Sequence, residues 1–300
     1  MEWQQLLGFY QVAKLGSFTR AADATFRTQS ALSQQVKALE DELDCLLIER
    51  IGKRRLRLTV AGEKLFKFAE ALLTGFEGLK DELNEIKGLH QGRLSLAAPF
   101  TTLLHLLPES LKAYLRAFPL VELTLLDRPQ PAVLALVKNG DVDLGLALES
   151  LVPGDLAAHR WQPVEMVLMT PPGHPLASLK RVSLRQIARY PLILPPRSPE
   201  YAGRRLLEEQ FRKMGLDYHV ILESTNVELS ALYVEMGLGI SFATLAPGVL
   251  PLRGRNLAFI PLKRYFKPDY LALVLRRDKV LAHHKKAFIN LLFGDTILPQ

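Results

Sequence analysis

GSFTRAADATFRTQSALSQQVKALEDEL, residues 16–43, holds two apolar periodicities separated by a short break at Phe26 and Arg27. In its second half Leu32, Val36, Leu39 and Leu43 recur at helical spacing and share one face. Ser30, Ser33, Gln34 and Lys37 fall on the opposite face. The spacing predicts a helix from an N-cap at Thr28 to Leu43, preceded by helices over Phe18–Thr25 and Trp3–Leu15. Two short helices joined by a turn match the helix-turn-helix pattern, whose second helix enters a DNA major groove.

Downstream, RIGKRRLR (Arg50–Arg57) has five basic residues in eight. RIGKRRLRLTVAG alternates basic with apolar residues, as a β-ribbon or wing does. This local cluster matters because overall charge does not make the case for DNA. The 300-residue chain carries a net charge of +7, but residues 1–90 hold 13 Lys/Arg against 13 Asp/Glu, so the excess lies beyond them.

From Thr59, an N-cap candidate, a long helix is predicted, with no proline before Pro99. Within it Leu65, Ala69, Leu72, Phe76, Leu79, Leu83 and Ile86 alternate spacings of 4 and 3, a narrow seam over three heptads. A seam this narrow favours pairing with another helix over intramolecular packing, although Gly75 and Gly78 weaken the helix. GLHQG (88–92) then reads as a linker.

Beyond it the pattern changes to apolar runs alternating with helical segments. LSLAA (94–98), a helix over about 102–118, VELTLLD (121–127), a helix over about 132–139 and VDLGLAL (142–148) give β-α-β-α-β, the mark of a largely parallel sheet covered by helices. A second set follows: VEMVLMT (164–170), PLILP (191–195), a helix over 201–214, HVILES (219–224), a helix over 227–236 and GISFAT (239–244). LAFIPL (257–262), YLALVLR (270–276) and a helix over about 280–293 end the chain. The fold class expected is α/β overall: a winged helix-turn-helix over residues 1–60, a linker and dimerisation helix over 61–91, and a two-lobed α/β domain around a cleft over 92–300. Lobe I comprises about 92–162 with 267–300, and lobe II about 163–266.

Taken in order, this N-terminal stretch, LLIER, LRLTVAG, the seam helix, FPLVELTLLD, NGDVDLGLAL, GHPLA and EMGLGISFAT resemble the LysR-type transcriptional regulators along nearly the whole chain. Many members have Pro where Ser30 stands, Gly where Asp44 stands and Phe where Ile48 stands. The resemblance implies a winged helix-turn-helix on duplex promoter DNA, a homodimer assembled into a homotetramer, and an effector domain resembling periplasmic solute-binding proteins. RNA polymerase is a further candidate partner.

The candidate DNA-binding residues are Thr28, Gln29, Ser30, Ser33, Gln34 and Lys37 on the recognition helix and Arg50, Lys53, Arg54 and Arg55 on the wing. Gln can pair bidentately with adenine, Ser can donate or accept, and Lys can meet guanine or phosphate. Gln29 lies nearer the helix flank. The wing cations supply affinity rather than sequence readout.

For an effector, PFTTLL (99–104) leads into a helix: Pro99 stands at its start, and Thr101 and Thr102 offer hydroxyls beside unpaired N–H groups at a positive dipole end. Ordinary N-capping would account for one of the threonines. The resemblance places the effector in the cleft against this helix start and implies two more cleft segments: Arg197 and Ser198 opening one helix, Ser224 and Thr225 preceding another. Arg197 has the fork geometry to take a carboxylate or sulfate, so a small anionic metabolite is expected. Arg128 is a secondary candidate, and Leu148, where several relatives have Thr or Ser, makes the cleft partly apolar. His105, one turn into the cleft helix, could hydrogen-bond a ligand, but reads as a satisfied or exposed histidine in preference to that.

Cys45, the only cysteine, excludes an internal disulfide and reads as a small core hydrophobe. None of the seven histidines has metal-ligand spacing, so neither metal nor cofactor is expected. The absence of GxGxxG, Walker and GxSxG patterns leaves no catalytic residues to nominate. Without a signal-peptide pattern or an apolar run approaching 18 residues, the chain reads as cytoplasmic with no membrane partner. The competing assignment is a small-molecule-binding protein of the solute-receptor type, which the N-terminal unit argues against.

Overall fold

The computed structural model describes residues 1–51, 55–87, 91–179, 181–246 and 255–294. They form two compact units, Met1–Ile86 and Lys87–Gln300.

In the first unit α1 (Trp3–Leu15), α2 (Phe18–Thr25) and α3 (Gln29–Leu43) are separated by residues that start and stop helices for local reasons. Gly16 ends α1 at φ +60°, a left-handed conformation that costs glycine little. Ser17 and Thr28 cap α2 and α3 by accepting from the N–H groups of Arg20 and Ala31. Phe9, Val12, Ala21, Ala22, Leu32, Val36, Leu39 and Leu47 make the core. Leu43, expected on the buried face, is exposed at the end of α3, where nothing remains to cover it.

Strands β1 (Ile48–Ile51) and β2 (Arg55–Leu58) pair antiparallel, Ile51 opposite Arg55, and form the wing. α4 (Val60–Ile86) starts at Thr59, whose hydroxyl accepts from Gly62 N–H at 2.9 Å. A Cβ on Gly62 would lie 2.0 Å from the Leu47 carbonyl oxygen, so only glycine lets the helix approach the wing this closely. α4 belongs with the helix-turn-helix rather than standing apart. The seam expectation needs a correction here: Leu65 packs on the first-unit core and Ala69 is buried, whereas Leu72, Phe76, Leu79, Leu83 and Ile86 remain 40–82% exposed. Apolar residues on the first turns meet α1 and the wing; farther along, Phe76 still packs with its ring 5.3 Å from that of Trp3 in α1, and the other seam residues stay exposed.

The second unit is built on one sheet with strand order β4-β3-β5-β11-β6-β9-β7-β8, with β10 also on β6. In lobe I, β3 (Gln91–Ala98), β4 (Leu120–Asp127) and β5 (Leu144–Leu148) run parallel, and β11 (Asp269–Arg276) runs antiparallel to β5. In lobe II, β7 (Leu192–Leu194), β8 (Val220–Glu223) and β9 (Ile240–Leu245) run parallel. β6 (Leu156–Thr170) belongs to both. Its residues up to Val164 pair with β11, while from Glu165 it pairs with β9 and from Val167 with β10 (Ala258–Pro261).

The inner strands β3, β5 and β11 are covered on both faces, which is why they read as continuous apolar runs, while the edge strand β4 is mostly exposed. In lobe I, Leu94, Leu96, Leu144, Leu146 and Leu273 pack with Phe288 of α11 (His283–Phe293) on one face; Ala97, Ala147 and Val274 meet α7 (Gln130–Lys138) on the other. The single helix expected over 102–118 is two, α5 (Phe100–His105) and α6 (Pro108–Ala117). Pro108 at the start of α6 has no N–H to continue α5 and is suited to a first helical turn. α8 (Leu184–Ile187), capped by Ser183, was not expected and is too short for a periodicity to show. α9 (Ala202–Lys213) and α10 (Val227–Glu235) lie in lobe II.

A buried ionic cluster ties lobe I together. Asp143 accepts from the Ser95 N–H and hydroxyl on one oxygen, both at 2.8 Å, and from Lys279 and Lys285, each at 2.8 Å, on the other. Burial pushes its carboxyl up, but the two ammonium groups more than reverse this and hold it well below the usual 3.8. Asp143→Asn leaves two half-buried cations without their anion and is expected to cost about 3 kcal/mol in denaturant unfolding at neutral pH. A carboxyl depressed in the folded state contributes stability above its unfolded pKa, so the wild-type advantage is full above 3.8 and declines as pH falls below it. An advantage independent of pH between 5 and 2 would remove the ionic account.

Candidate functional site: DNA-facing helix and effector cleft

On α3 the apolar side is inward and the polar side outward. Thr28, Gln29, Ser30, Gln34 and Lys37 are exposed and Ser33 is half-buried, while Leu32, Val36 and Leu39 are buried. The first turn is ordered by its own side chains: the Thr28 hydroxyl lies 3.1 Å from that of Ser30, and the Thr19 hydroxyl donates to Gln29 Oε1 at 3.4 Å. Gln35, beside the stripe, has another task. It accepts from Arg27 at 3.1 Å, and Arg27 also reaches Gln4, locking α1 to the turn before α3.

The wing is set on α3 by a residue the sequence did not single out. Glu40 Oε1 accepts from the backbone N–H groups of Leu47 and Ile48 at 2.8 and 3.1 Å, so the start of β1 is fixed to the recognition helix. Nothing distinguishes this carboxylate in sequence from Asp41 and Glu42 beside it. Among the wing cations, Arg50 and Arg55 stand in β1 and β2, while Lys53 and Arg54 lie outside the described residues.

In the second unit the parallel strands collect the other candidates. Ala98 at the end of β3 stands opposite Asp127 at the end of β4, and Arg128 N–H donates to the Ala98 carbonyl at 3.1 Å. Leu148 ends the neighbouring β5, its N–H bound to Gln130 Oε1 at 2.8 Å. Pro99, Thr101, Thr102, Arg128 and Leu148 therefore gather at the carboxyl edge of β3, β4 and β5, where ligands bind open α/β sheets. Ser224 N–H donates to the Leu194 carbonyl at 2.9 Å, so the segments after β7 and β8 meet at the corresponding edge of lobe II.

The two edges make contact. His105 Nε2, at the end of α5, lies 2.5 Å from Glu228 Oε1 in the first turn of α10, with both side chains mostly buried. Arg255 stands 3.9 Å from the same carboxylate and 3.2 Å from Glu235. His105 is thus a satisfied histidine, and its partner lies in the opposite lobe, a pairing that no local sequence signal carries.

α9 and α10 start within one residue of the expected 201 and 227, but the residues that open these helices and α5 differ from expectation. α5 begins at Phe100 with Pro99 as its cap, and Pro99 offers no side-chain acceptor. Neither Thr101 nor the buried Thr102 is consumed in capping. α9 begins at Ala202 rather than at Arg197 and Ser198, because Pro199 and Glu200 intervene and Ser198 makes a local turn with Glu200 and Tyr201. α10 is capped by Asn226, whose Oδ1 accepts from Glu228 and Leu229 N–H, while the Ser224 hydroxyl turns to the Asn226 carbonyl and Thr225 is exposed. Asn immediately before an apolar run, with Glu228 in the first turn, is an N-cap signature legible in the sequence.

Arg197 also needs correction. Its Nε donates to Glu208 at 2.8 Å and its Nη2 to the Tyr218 hydroxyl at 3.2 Å, while buried Arg204 donates to the same carboxylate oxygen at 2.7 Å. Partial burial raises the Glu208 carboxyl, and these hydrogen bonds outweigh it, bringing it down to about 2. The fork expected to face an anion is already closed on a carboxylate. Arg128 is exposed and bonds its neighbouring carbonyl, that of Asp127, at 2.7 Å.

The LysR substrate binding domain model matches residues 87–294, and that of the bacterial regulatory helix-turn-helix protein, lysR family, matches residues 3–63. The chain belongs to the LysR family of transcriptional regulators. The regulator CysB of Burkholderia cenocepacia is 30% identical over 281 residues, covering 92% of this chain and 88% of that one. The regulator cbl of Escherichia coli is 29% identical over 294 residues, covering 97% and 92%. Among solved structures, the cofactor-binding domain of the Cbl transcriptional regulator superposes with a TM-score of 0.59 at 26% identity, over 69% of this chain and 90% of that one. A full-length OxyR variant from Pseudomonas aeruginosa gives 0.66 at 21% identity over 98% and 97%, a likeness of fold. This LysR regulator is a ligand-responsive, DNA-binding transcription factor and not an enzyme; the solute-receptor alternative is not favoured. Among the described residues no helix is long and apolar enough to cross a membrane.

The cross-lobe pair is testable by a double-mutant cycle with His105→Gln and Glu228→Gln. We expect a coupling of about 1 kcal/mol in denaturant unfolding; additive losses would show that the two side chains do not interact in solution.

Proposed function

We propose that the effector of this regulator is a small anionic metabolite, held where Pro99, Thr101 and Thr102 meet the opposing lobe, and that its binding changes the pairing of the lobes and thereby DNA occupancy. The supporting observation is the start of α5: its cap supplies no acceptor, two threonine hydroxyls stand free of capping, and the His105–Glu228 contact brings α10 to the same helix. An anion there completes the first turn and meets the positive end of its dipole. Arg197, engaged by Glu208, is left out of the proposal. A ligand shifts the lobes only by the difference between its affinities for the two arrangements.

The active species in this reading is a homotetramer, a dimer of dimers on an interrupted promoter dyad, with the exposed α4 residues from Leu72 to Ile86 as one pairing surface and RNA polymerase as a later partner. Cytoplasmic action follows from the DNA target.

On DNA, affinity for a specific site is expected to fall steeply as salt rises, through release of counterions. Gln34→Ala should lose about tenfold or more on the specific site and little on random duplex; equal losses on both would remove Gln34 from base readout. For the effector, a thermal-shift screen of small carboxylates and sulfate-bearing metabolites reads binding as stabilisation that grows with concentration. Thr102→Ala is expected to lower the affinity of a confirmed hit about fivefold, the loss of one hydroxyl hydrogen bond. Unchanged affinity would move the site away from α5.

A further inference from the structure

Phe26 is the most exposed large apolar side chain among the described residues, at 98%, and it stands at φ +53° in the turn between α2 and α3. Its N–H bonds the Ala22 and Asp23 carbonyls and that of Arg27 bonds Ala22 at 3.0 Å, the crossed pattern that closes a helix around one left-handed residue. These bonds use backbone only. Glycine would make them without the steric penalty that Phe incurs at positive φ, and Asn or Asp would incur less of it. A benzyl group here therefore carries two costs, left-handed backbone and apolar surface in water, and its exposure leaves it almost no contact within the unit to offset either. Observed strain of this kind at an exposed position points to something bound.

The position says what. Phe26 is two residues before Thr28, the cap of the recognition helix, and the N-terminal residues of such a helix are those that reach base edges. Its neighbour Arg27 is turned inward onto Gln4 and Gln35, so the turn holds its cation in and its aromatic ring out. Thr28, Gln29 and Ser30, two to four residues farther on, are exposed as well.

Resting on the DNA-binding role of the unit, we infer that Phe26 is itself a DNA contact: its ring packs on deoxyribose and thymine-methyl surface at the rim of the major groove that α3 enters. Apolar side chains, Phe among them, recognise the thymine methyl in this way.

The test uses the full-length chain and a duplex that the wild-type protein enriches from a random pool. Phe26→Gly and Phe26→Asn both suit the left-handed backbone, so each is expected to melt at or above the wild-type temperature and yet bind the enriched duplex about tenfold more weakly. Phe26→Leu, apolar but smaller, keeps most of the affinity. Gain of stability with loss of binding is an outcome that a purely structural residue cannot produce. Wild-type affinity in both the Gly and Asn variants overturns the proposal; a loss of oligomer mass in those variants would instead give the ring to a second copy of the chain and equally overturn it. A wild-type protein that enriches no duplex defeats the DNA-binding role itself and the proposal with it.

Discussion

Strand β6 is the constraint on which the second unit depends. One continuous run of 15 residues serves as a lobe I strand up to Val164 and a lobe II strand from Glu165, so the lobes share a backbone ladder rather than a flexible joint. Because β6 pairs with β11 up to Val164 and with β9 from Glu165, a large bend where it crosses would break ladder bonds to one or the other, although Arg160 and Pro163 are exposed and the register shifts beside them. What can change is the contact made by the helices at the carboxyl edges. The His105–Glu228 pair is such a contact, formed by side chains that can part without loss of the sheet. This places the adjustable part of the unit beside the proposed effector site.

The same division between rigid backbone and adjustable side chains appears in the first unit. Glu40 fixes the wing to α3 through backbone N–H groups, and Gly62 lets α4 close on Leu47. Arg27 and the glutamines at 4 and 35 fix α1 to the turn. The polar stripe on α3 is thus carried on a scaffold whose own bonds are satisfied elsewhere. Side chains such as Gln34 and Lys37 are left for a partner, and a face held this way loses little additional order when it binds.

Much of this was legible because periodicity reports burial. Leu32, Val36 and Leu39 in α3, and the run of apolar residues in β11, announced their elements and their inner faces. Expectation failed where the deciding interaction is between residues distant in sequence, or where a breaker was passed over. Arg197 looked free because its partners Glu208 and Tyr218 lie 11 and 21 positions away. The helix over 102–118 was carried through Pro108, although proline there is a local signal. Asn226 caps α10 because it alone stands at the N-cap position, with Thr225 and Ser224 one and two residues too early to accept from the first turn. His105 and Glu228 are 123 residues apart, and no local rule joins them.

The shortened seam on α4 constrains assembly. With Leu65 and Ala69 committed to the first-unit core, the exposed stretch from Leu72 to Ile86 spans 15 residues, two heptads. Stable coiled coils usually sustain the pattern over about three or four heptads, and Gly75 and Gly78 lower the helix propensity of this stretch further. A Cβ at either glycine would meet nothing within 4 Å in the unit, so neither residue is required by intramolecular packing. Pairing through α4 alone is therefore weak, and a stable oligomer must draw on another surface as well. If that second surface lies on the effector unit and the effector binds its associated and dissociated forms with different affinity, association and occupancy shift each other by the same coupling free energy.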